Sequence, residues 1–391
     1  MVCRDGCIAP PGGALACSVE RMANHETTRP TAHASVTDGH EQSPVCGGSD
    51  RCEADRTIRG PDAVGGPDYD AAMAPSAARS ITSAPLLVYR TEHGEAWLGD
   101  AIETLEANVP DESVDLIVTS PPFALQRPKE YGNESQDSYK SWFLPFADEF
   151  WRVLKPTGSL VIDLGGAWEG GQPVKSIYQF ELLVSLCRRP NRPFVLAQDF
   201  YWYNPARLPS PAQWVTIERV RAKDSVNYVW WLGKTPHPKA DNRRVLKEYT
   251  DSMKKLIESG NYNRGRRPSG HVVREGFTEN RGGAIPPNLL AISNTGNDRD
   301  YLQRCRKRGL RPHPARFPAE LPEFFINFLT EPGDYVIDPY AGSNVSGAVA
   351  ESLGRKWLAI EIDDEYLEGS IARFDGLQMT MVERVGAADG E

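Results

Sequence analysis

Two short apolar runs constrain this chain more than any other feature. Asp115-Leu116-Ile117-Val118 is apolar at consecutive rather than alternate positions, which predicts a strand covered on both faces. It ends at Thr119-Ser120-Pro121-Pro122-Phe123. Two successive prolines neither continue a central strand nor suit a helix interior, so they fix an extended loop. Tyr335–Asp338 is a second such run, ending at Pro339-Tyr340-Ala341-Gly342-Ser343-Asn344 before a helical pattern from Val345 to Leu353. Further strands are expected at Ala96–Asp100, Leu160–Asp163, Phe194–Tyr201, Asn227–Leu232 and Trp357–Glu361. Helices are expected at Ala101–Ala107, Ser138–Leu154, Ile177–Arg188, Leu321–Leu329 and Glu365–Phe374, with Lys155-Pro156-Thr157-Gly158 stopping the second. Strands alternating with helices predict an α/β fold with a doubly wound, mostly parallel sheet.

The pattern has two gaps. Residues 1–80 are rich in Gly, Pro, Ala, Ser, Thr and Asp without periodic apolar spacing, so a disordered tail is expected there. Met73, just before the first patterned segment, is the expected natural start. Five of the seven cysteines lie in that tail, which describes no disulfide framework, and no zinc-finger spacing occurs. The second gap runs from about Asn204 to Tyr301, rich in Pro, Asn, Arg and Gly. Tyr201–Arg316 holds 23 Lys and Arg against 10 Asp and Glu. A segment of net +13 therefore sits inside a chain of net −9, leaving −22 on the remainder. Such a basic face attracts phosphate, although a plain solvated surface accounts for the charge equally well. No run approaches the roughly 18 apolar residues of a membrane span, and a cytoplasmic protein is expected.

Both loops stand at the carboxyl ends of strands, where open α/β sheets bind ligands. Ser120 offers a hydroxyl, the following residues offer carbonyls, and Phe123 offers a ring face. That set can grip a planar group bearing an NH2. As a purely structural element it is a Pro-rich turn with a core-filling Phe. In the second loop small residues admit a ligand close to the backbone, at a helix N-terminus that favours anions. Glu361, about 20 positions on, is placed for ribose hydroxyls. A P-loop is excluded, because Ala348 and Val349 stand where Lys and Ser/Thr are required, and no G-x-G-x-x-G fingerprint is present.

In this order the segments resemble amino-directed DNA methyltransferases of the beta arrangement, over about residues 86–376. Ser120-Pro121-Pro122-Phe123 is similar to that family's catalytic tetrad, and Asp338 to Asn344 to its cofactor loop. Tyr340 departs from the commoner Phe, and Asn344 from a frequent Gly. His313-Pro314-Ala315-Arg316-Phe317-Pro318 is similar to the segment binding the methionine end. Gly99-Asp100 is similar to an acidic position near adenine, and Asp163-Leu164-Gly165-Gly166 to a motif near the target base.

The resemblance implies an S-adenosylmethionine-dependent methyltransferase fold in permuted order. Its catalytic half would be 81–203, its inserted basic target-recognition region 204–305 and its cofactor half 306–391. The implied cofactor is S-adenosylmethionine, held by Asp100, Phe317, Pro318, Asp338, Tyr340, Gly342, Ser343, Asn344 and Glu361. The implied catalytic residues are Ser120, Pro121, Pro122, Phe123 and Asp163, with no metal and no covalent intermediate. Asp163 either orients the base or accepts a proton; otherwise it is a strand-end carboxylate satisfied by backbone. Duplex DNA would meet Lys239, Arg243, Arg244, Arg264, Arg266 and Arg267, the enzyme standing beside a cognate restriction endonuclease as monomer or dimer. Ser at the first tetrad position implies cytosine methylated on its exocyclic nitrogen. No Pro-Cys dipeptide provides a carbon-5 nucleophile, and Cys187 and Cys305 read as ordinary cysteines. Alternatives are an exocyclic-amino adenine methyltransferase, a non-catalytic DNA-binding regulator, and an RNA or protein methyltransferase.

Overall fold

The structure, a computed structural model, describes residues 84–124, 134–261, 265–270, 272–273, 275–295 and 298–382. The tail at 1–80 and Arg264 lie outside the described residues.

In chain order the elements begin with β1 (Leu86–Arg90), β2 (Gly94–Leu98), α1 (Ala101–Asn108), β3 (Val114–Thr119) and α2 (Tyr139–Val153). β4 (Leu154–Leu164), α3 (Tyr178–Arg188), β5 (Val195–Tyr203) and β6 (Val226–Gly233) follow. The basic stretch holds α4 (Asp251–Ser259), the short strands β7 (Gly265–Arg266) and β8 (Val272–Val273), β9 (Leu289–Ala291) and α5 (Arg299–Arg308). The chain then forms α6 (Glu320–Leu329), β10 (Tyr335–Asp338), α7 (Val345–Ser352), β11 (Lys356–Glu361), α8 (Asp364–Ser370) and β12 (Thr380–Met381).

Ten strands form one sheet in the order β12-β1-β2-β11-β10-β3-β4-β6-β5-β9. The five central strands, β2 to β4, are mutually parallel. Consecutive β3 residues serve opposite faces, which is why the run is apolar throughout. Ile117 joins a cluster with Leu105, Phe143, Phe150 and Leu182, beneath α1, α2 and α3. Leu116 and Val118 join the other cluster, with Phe325, Ile326, Val349 and Leu367 from α6, α7 and α8. Truncating such a fully buried side chain to Ala costs about 2–5 kcal/mol.

The sheet differs from the sequence reading in two places. Lys155-Pro156-Thr157-Gly158 does more than stop α2; the backbone passes straight into β4, beginning at Leu154. Nor does the basic stretch at 204–305 form an insert apart from the core. β6 lies between β4 and β5, antiparallel to both, and β9 extends the sheet beside β5. Trp230 and Leu232 pack in one core cluster and Val229 and Trp231 in the other. No helix among the described residues is long and apolar enough to cross a membrane.

Candidate active site

Because β2, β11, β10, β3 and β4 run parallel, their carboxyl ends share one sheet edge. β6 runs against β4 and brings its amino end there: Asp163 pairs with Val229 and Leu164 with Tyr228. A cavity of about 1020 Å³ opens along that edge. Ligand pockets commonly measure roughly 300–1,000 Å³, so this one has room for a small ligand and a second planar group.

One side of the cavity is the tetrad loop. Ser120, Pro121, Pro122, Phe123 and Asp163 all line it. The Ser120 hydroxyl donates to Asp163 Oδ2 at 3.1 Å, and the Asn227 amide donates to the same oxygen at 3.4 Å. Arg207 donates to Asn227 Oδ1 at 2.9 Å. A guanidinium only donates, so Arg207 fixes which way the Asn227 amide points. Asn227 then donates to Asp163, which serves Ser120 as an acceptor and leaves the serine lone pairs free for another donor. Asp163 Oδ1 is buried without a partner. Burial pushes the Asp163 carboxyl up to about 7, against the opposing hydrogen bonds from Asn227 and Ser120. Asp163 is thus not a strand-end carboxylate satisfied by backbone. Phe123 is held against Gly165, where an added Cβ would stand 2.5 Å from the ring. The Pro122 carbonyl accepts the Tyr139 hydroxyl at 2.8 Å, which ties the tetrad to α2.

The other side is formed by the β10–α7 loop and the ends of β2 and β11. Asp100, Tyr340, Gly342, Ser343, Glu361 and Phe317 line the cavity. Asp100 caps α1, accepting from Ile102 and Glu103 N–H through Oδ1. Tyr340 packs on Trp142 and Phe146, with ring centroids 6.0 and 5.4 Å away. Its hydroxyl is buried without a partner. Gly342 has φ +52, a conformation that favours glycine, and a Cβ there would stand tightly, 3.2 Å from the His313 ring. Glu361 accepts from the N–H groups of Gly342, Ile362 and Asp363 at 2.7–2.9 Å. Burial nevertheless pushes its carboxyl up to about 7. An aromatic slot, two carboxylates, an orphaned hydroxyl and a glycine turn close to the His313 ring suit a nucleoside-bearing group.

Asp338, Asn344 and Pro318 do not line this cavity. Asp338 accepts from Thr119 Oγ1 at 2.7 Å, Ser346 Oγ at 2.6 Å and Tyr340 N at 3.2 Å, so it braces β3, β10 and α7 together. Asn344 has φ +54 and caps α7 through Gly347 N, while its amide donates to the Tyr89 hydroxyl. The Pro318 carbonyl accepts Leu321 N at the start of α6. Arg373, which the sequence reading missed, grips the loop from behind. It donates to Ser343 O and Ser343 Oγ at 2.9 Å and to Asp298 Oδ1 at 2.8 Å. Burial would raise the Asp298 carboxyl, but Arg373 and Arg316 outweigh it and hold it below the usual range. Trp202, Asn204, Arg207, Asn227, Asn294 and Arg299 also line the cavity without having been singled out from sequence.

The expected DNA-binding cations divide. Gly233 pairs with Ser159, so the chain after β6 leaves at the opposite sheet edge, away from the cavity. There Lys239 bonds Asp334 at 2.6 Å and Glu331 at 2.9 Å. Arg244 bonds the Asn327 and Phe328 carbonyls at the end of α6, and Glu331. Arg243 is exposed and pairs with Asp241 at 2.7 Å. Lys239 and Arg244 thus brace the chain after β6 against the α6–β10 region, at the sheet edge opposite the cavity, while Arg243 pairs only within its own turn. Arg266 and Arg267 are exposed.

Comparison with known proteins agrees with this geometry. The N6/N4 methyltransferase family described as DNA methylase matches residues 114–373. The type II methyltransferase M.PvuII of Proteus hauseri is 51% identical over 288 residues, spanning 73% of this chain and 85% of that protein. The DNA adenine methyltransferase YhdJ of Escherichia coli is 25% identical over 284 residues, 71% of this chain and 81% of that protein. A solved PvuII DNA methyltransferase (cytosine-N4-specific) superposes with a TM-score of 0.59 at 44% identity, covering 74% of this chain and 89% of the other. With the matched segment taking in both loops of the cavity, the chain belongs to the N6/N4 DNA methylase family.

Proposed function

We propose that this chain transfers a methyl group from S-adenosylmethionine to the exocyclic amino nitrogen of cytosine in duplex DNA. The observation that carries the reading is the Ser120–Asp163 hydrogen bond on the wall facing the β10–α7 loop, within one cavity. The 51% identity to M.PvuII and the cytosine-N4-specific description of the superposed structure support cytosine over the adenine reading kept open by YhdJ. The type II names support a place beside a cognate restriction endonuclease, in the cytoplasm of a bacterium or archaeon.

When bound, S-adenosylmethionine supplies an electrophilic methyl group. Asp100 and Glu361 would hold its hydroxyl and amino groups, Tyr340 and Phe317 its apolar faces, and the backbone at Gly342 and Ser343 its approach to the sheet edge. Pro121, Pro122 and Phe123 shape the slot opposite, where a flipped base enters at an unstacking cost of a few kcal/mol. An aryl amine is a poor nucleophile because its lone pair is delocalised into the ring. The Ser120 oxygen and the Pro121 carbonyl accept its two hydrogens and draw the nitrogen toward tetrahedral geometry. Ser120 is already turned to donate to Asp163, so its lone pairs face the amine. The nitrogen must lose one proton as it gains a methyl. A relay carries that proton to Ser120 while the serine's own proton moves to Asp163, whose raised value suits it to receive one near neutrality. Arg207 and Asn227 position this relay.

Digestion of DNA from cells expressing residues 73–391 to nucleosides, followed by mass spectrometry, tests the reading. N4-methylcytosine is expected. Methyladenine as sole product overturns the base assignment, and 5-methylcytosine overturns the mechanism.

A further inference from the structure

The β5–β6 connection combines features that no role above uses. Tyr203 pairs with Val226, so residues 204–225 leave and re-enter the sheet at the cavity edge. Asn204, Arg207 and Ser225 at its base line the cavity. The connection is a closed knot rather than a slack loop. Gln213–Ile217 forms a single wide helical turn. Val220 N and Arg221 N both return to the Trp214 carbonyl, at 2.9 and 3.2 Å. Gln213 Nε2 donates to Glu218 at 2.7 Å. The knot is anchored to the segment after β4. Arg221 donates to the Pro173 carbonyl at 3.0 Å, and Trp168 and Lys175 both donate to Asp224.

What the knot displays is apolar and cationic. Leu208 is 79% exposed, Ile217 68% and Val220 48%. Arg219 holds φ +60, a conformation that a non-glycine side chain adopts only when its surroundings impose it. It is exposed, and among the described residues no contact holds its guanidinium. Leaving large apolar side chains in water on a rigid support is costly unless something covers them. Arg221 and Lys223 are held by backbone carbonyls and Glu218 by Gln213, which leaves Arg219 as the exposed cation turned to an anionic partner.

We infer that the tip Ile217–Arg219 is a wedge that enters the groove of duplex DNA at the target base pair, Ile217 occupying the stacking space vacated by the extruded base and Arg219 meeting a backbone phosphate. This rests on the DNA-methylating role above and specifies which surface opens the duplex. Apolar side chains inserted between base steps are a general way to stabilise an unstacked duplex.

The test compares binding to two duplexes carrying the sequence that the enzyme methylates, mapped on plasmid DNA it has modified. In one the target cytosine is paired. In the other it faces an abasic site, so that extrusion costs less. Ile217→Ala is expected to weaken binding to the paired duplex about tenfold and to the abasic duplex by less than about twofold. Arg219→Gly, which keeps the positive φ without strain, is expected to weaken both alike and to lower the salt slope by about 1. Cofactor affinity should match the parent in both variants, which reports an intact fold. Equal losses for Ile217→Ala on the two duplexes, or none on the paired one, overturn the wedge. Because only binding is read, a parent protein found to methylate adenine would contradict the cytosine reading and leave the wedge to be judged by the same constants.

Discussion

Asp338 and Asp163 are both buried, and both close a parallel strand on either side of β3. Both Asp338 oxygens are engaged, by Thr119, Tyr340 and Ser346, whereas Asp163 keeps one oxygen without a partner. Their neighbourhoods differ in the same sense. Around Asp338 the protein completes its own contacts: Asn344 caps α7, Glu361 collects three backbone N–H groups, and Arg373 clamps Ser343. The Tyr340 and Tyr301 hydroxyls are exceptions. Around Asp163 the contacts are incomplete, with Ser225 Oγ also buried and unpartnered. On the proposed assignment the cofactor side is preorganised as a receptacle, while the target side is completed only when a base arrives. On the proposed mechanism, two aspartates that look alike in sequence are a brace and a reagent.

The largest expected effect lies on the unsatisfied side. Ser120→Ala should lower the single-turnover methylation rate by about 10²–10⁴-fold while cofactor affinity, measured by titration calorimetry, stays unchanged. An unchanged rate would remove the serine from the mechanism. The pH profile sharpens the contrast further. With Asp163 at about 7, the rate should rise tenfold per pH unit below about 7 and level above it. Asp163→Asn should lower the rate and remove that step. The charged and titratable groups facing Asp163 are Arg207 and Tyr178, and neither titrates in this window.

Stability should respond in the opposite sense. The folded Asp163 value lies above the ordinary 3.8, so folding takes up a proton between 3.8 and about 7. This group's contribution is most favourable at low pH and declines as pH rises to about 7. Asp163→Asn should therefore raise Tm at pH 8, by the equivalent of roughly 1–3 kcal/mol. On the braced side, Asp338→Ala should do the reverse. Removing an acceptor of three hydrogen bonds should cost about 2–4 kcal/mol in denaturant titrations and weaken cofactor binding with it.

The smallest effects concern the cations. Arg266→Ala with Arg267→Ala should lower the magnitude of the salt slope of DNA binding by up to about 2. Lys239→Ala should leave that slope unchanged and cost at most about 1 kcal/mol of stability, because its partners are carboxylates at the far edge. A reduced slope for Lys239→Ala would contradict its placement.

The strands and the two loops were legible because a buried parallel strand writes itself as a continuous apolar run and stops abruptly. The carboxylate partners of Lys239 and Arg244 were not legible because sequence reports charge without partners, and Glu331 and Asp334 lie about 90 residues on. Arg207 and Asn227 carried no local signal; they reach Asp163 only because β6 turns antiparallel beside β4. α4 could have been found, since Thr250 caps it and Gly260 ends it in the left-handed region. The sequence boundary at Asn204 cut between β5 and β6, which pair, because a Pro- and Arg-rich connection resembles the start of a separate domain.

That pairing has an evolutionary consequence. Neighbouring antiparallel strands lie about 4.8 Å apart and fix both ends of the 204–225 connection. With its ends held, doubling such a connection costs only about 0.6 kcal/mol in closure entropy. The exposed part of the connection, between Arg207 and the anchors at Arg221 and Asp224, can thus change in length while the sheet and those anchors stay fixed. A chain of this design can remodel the surface beside its cavity mouth by changing one segment, without refitting the sheet that carries it.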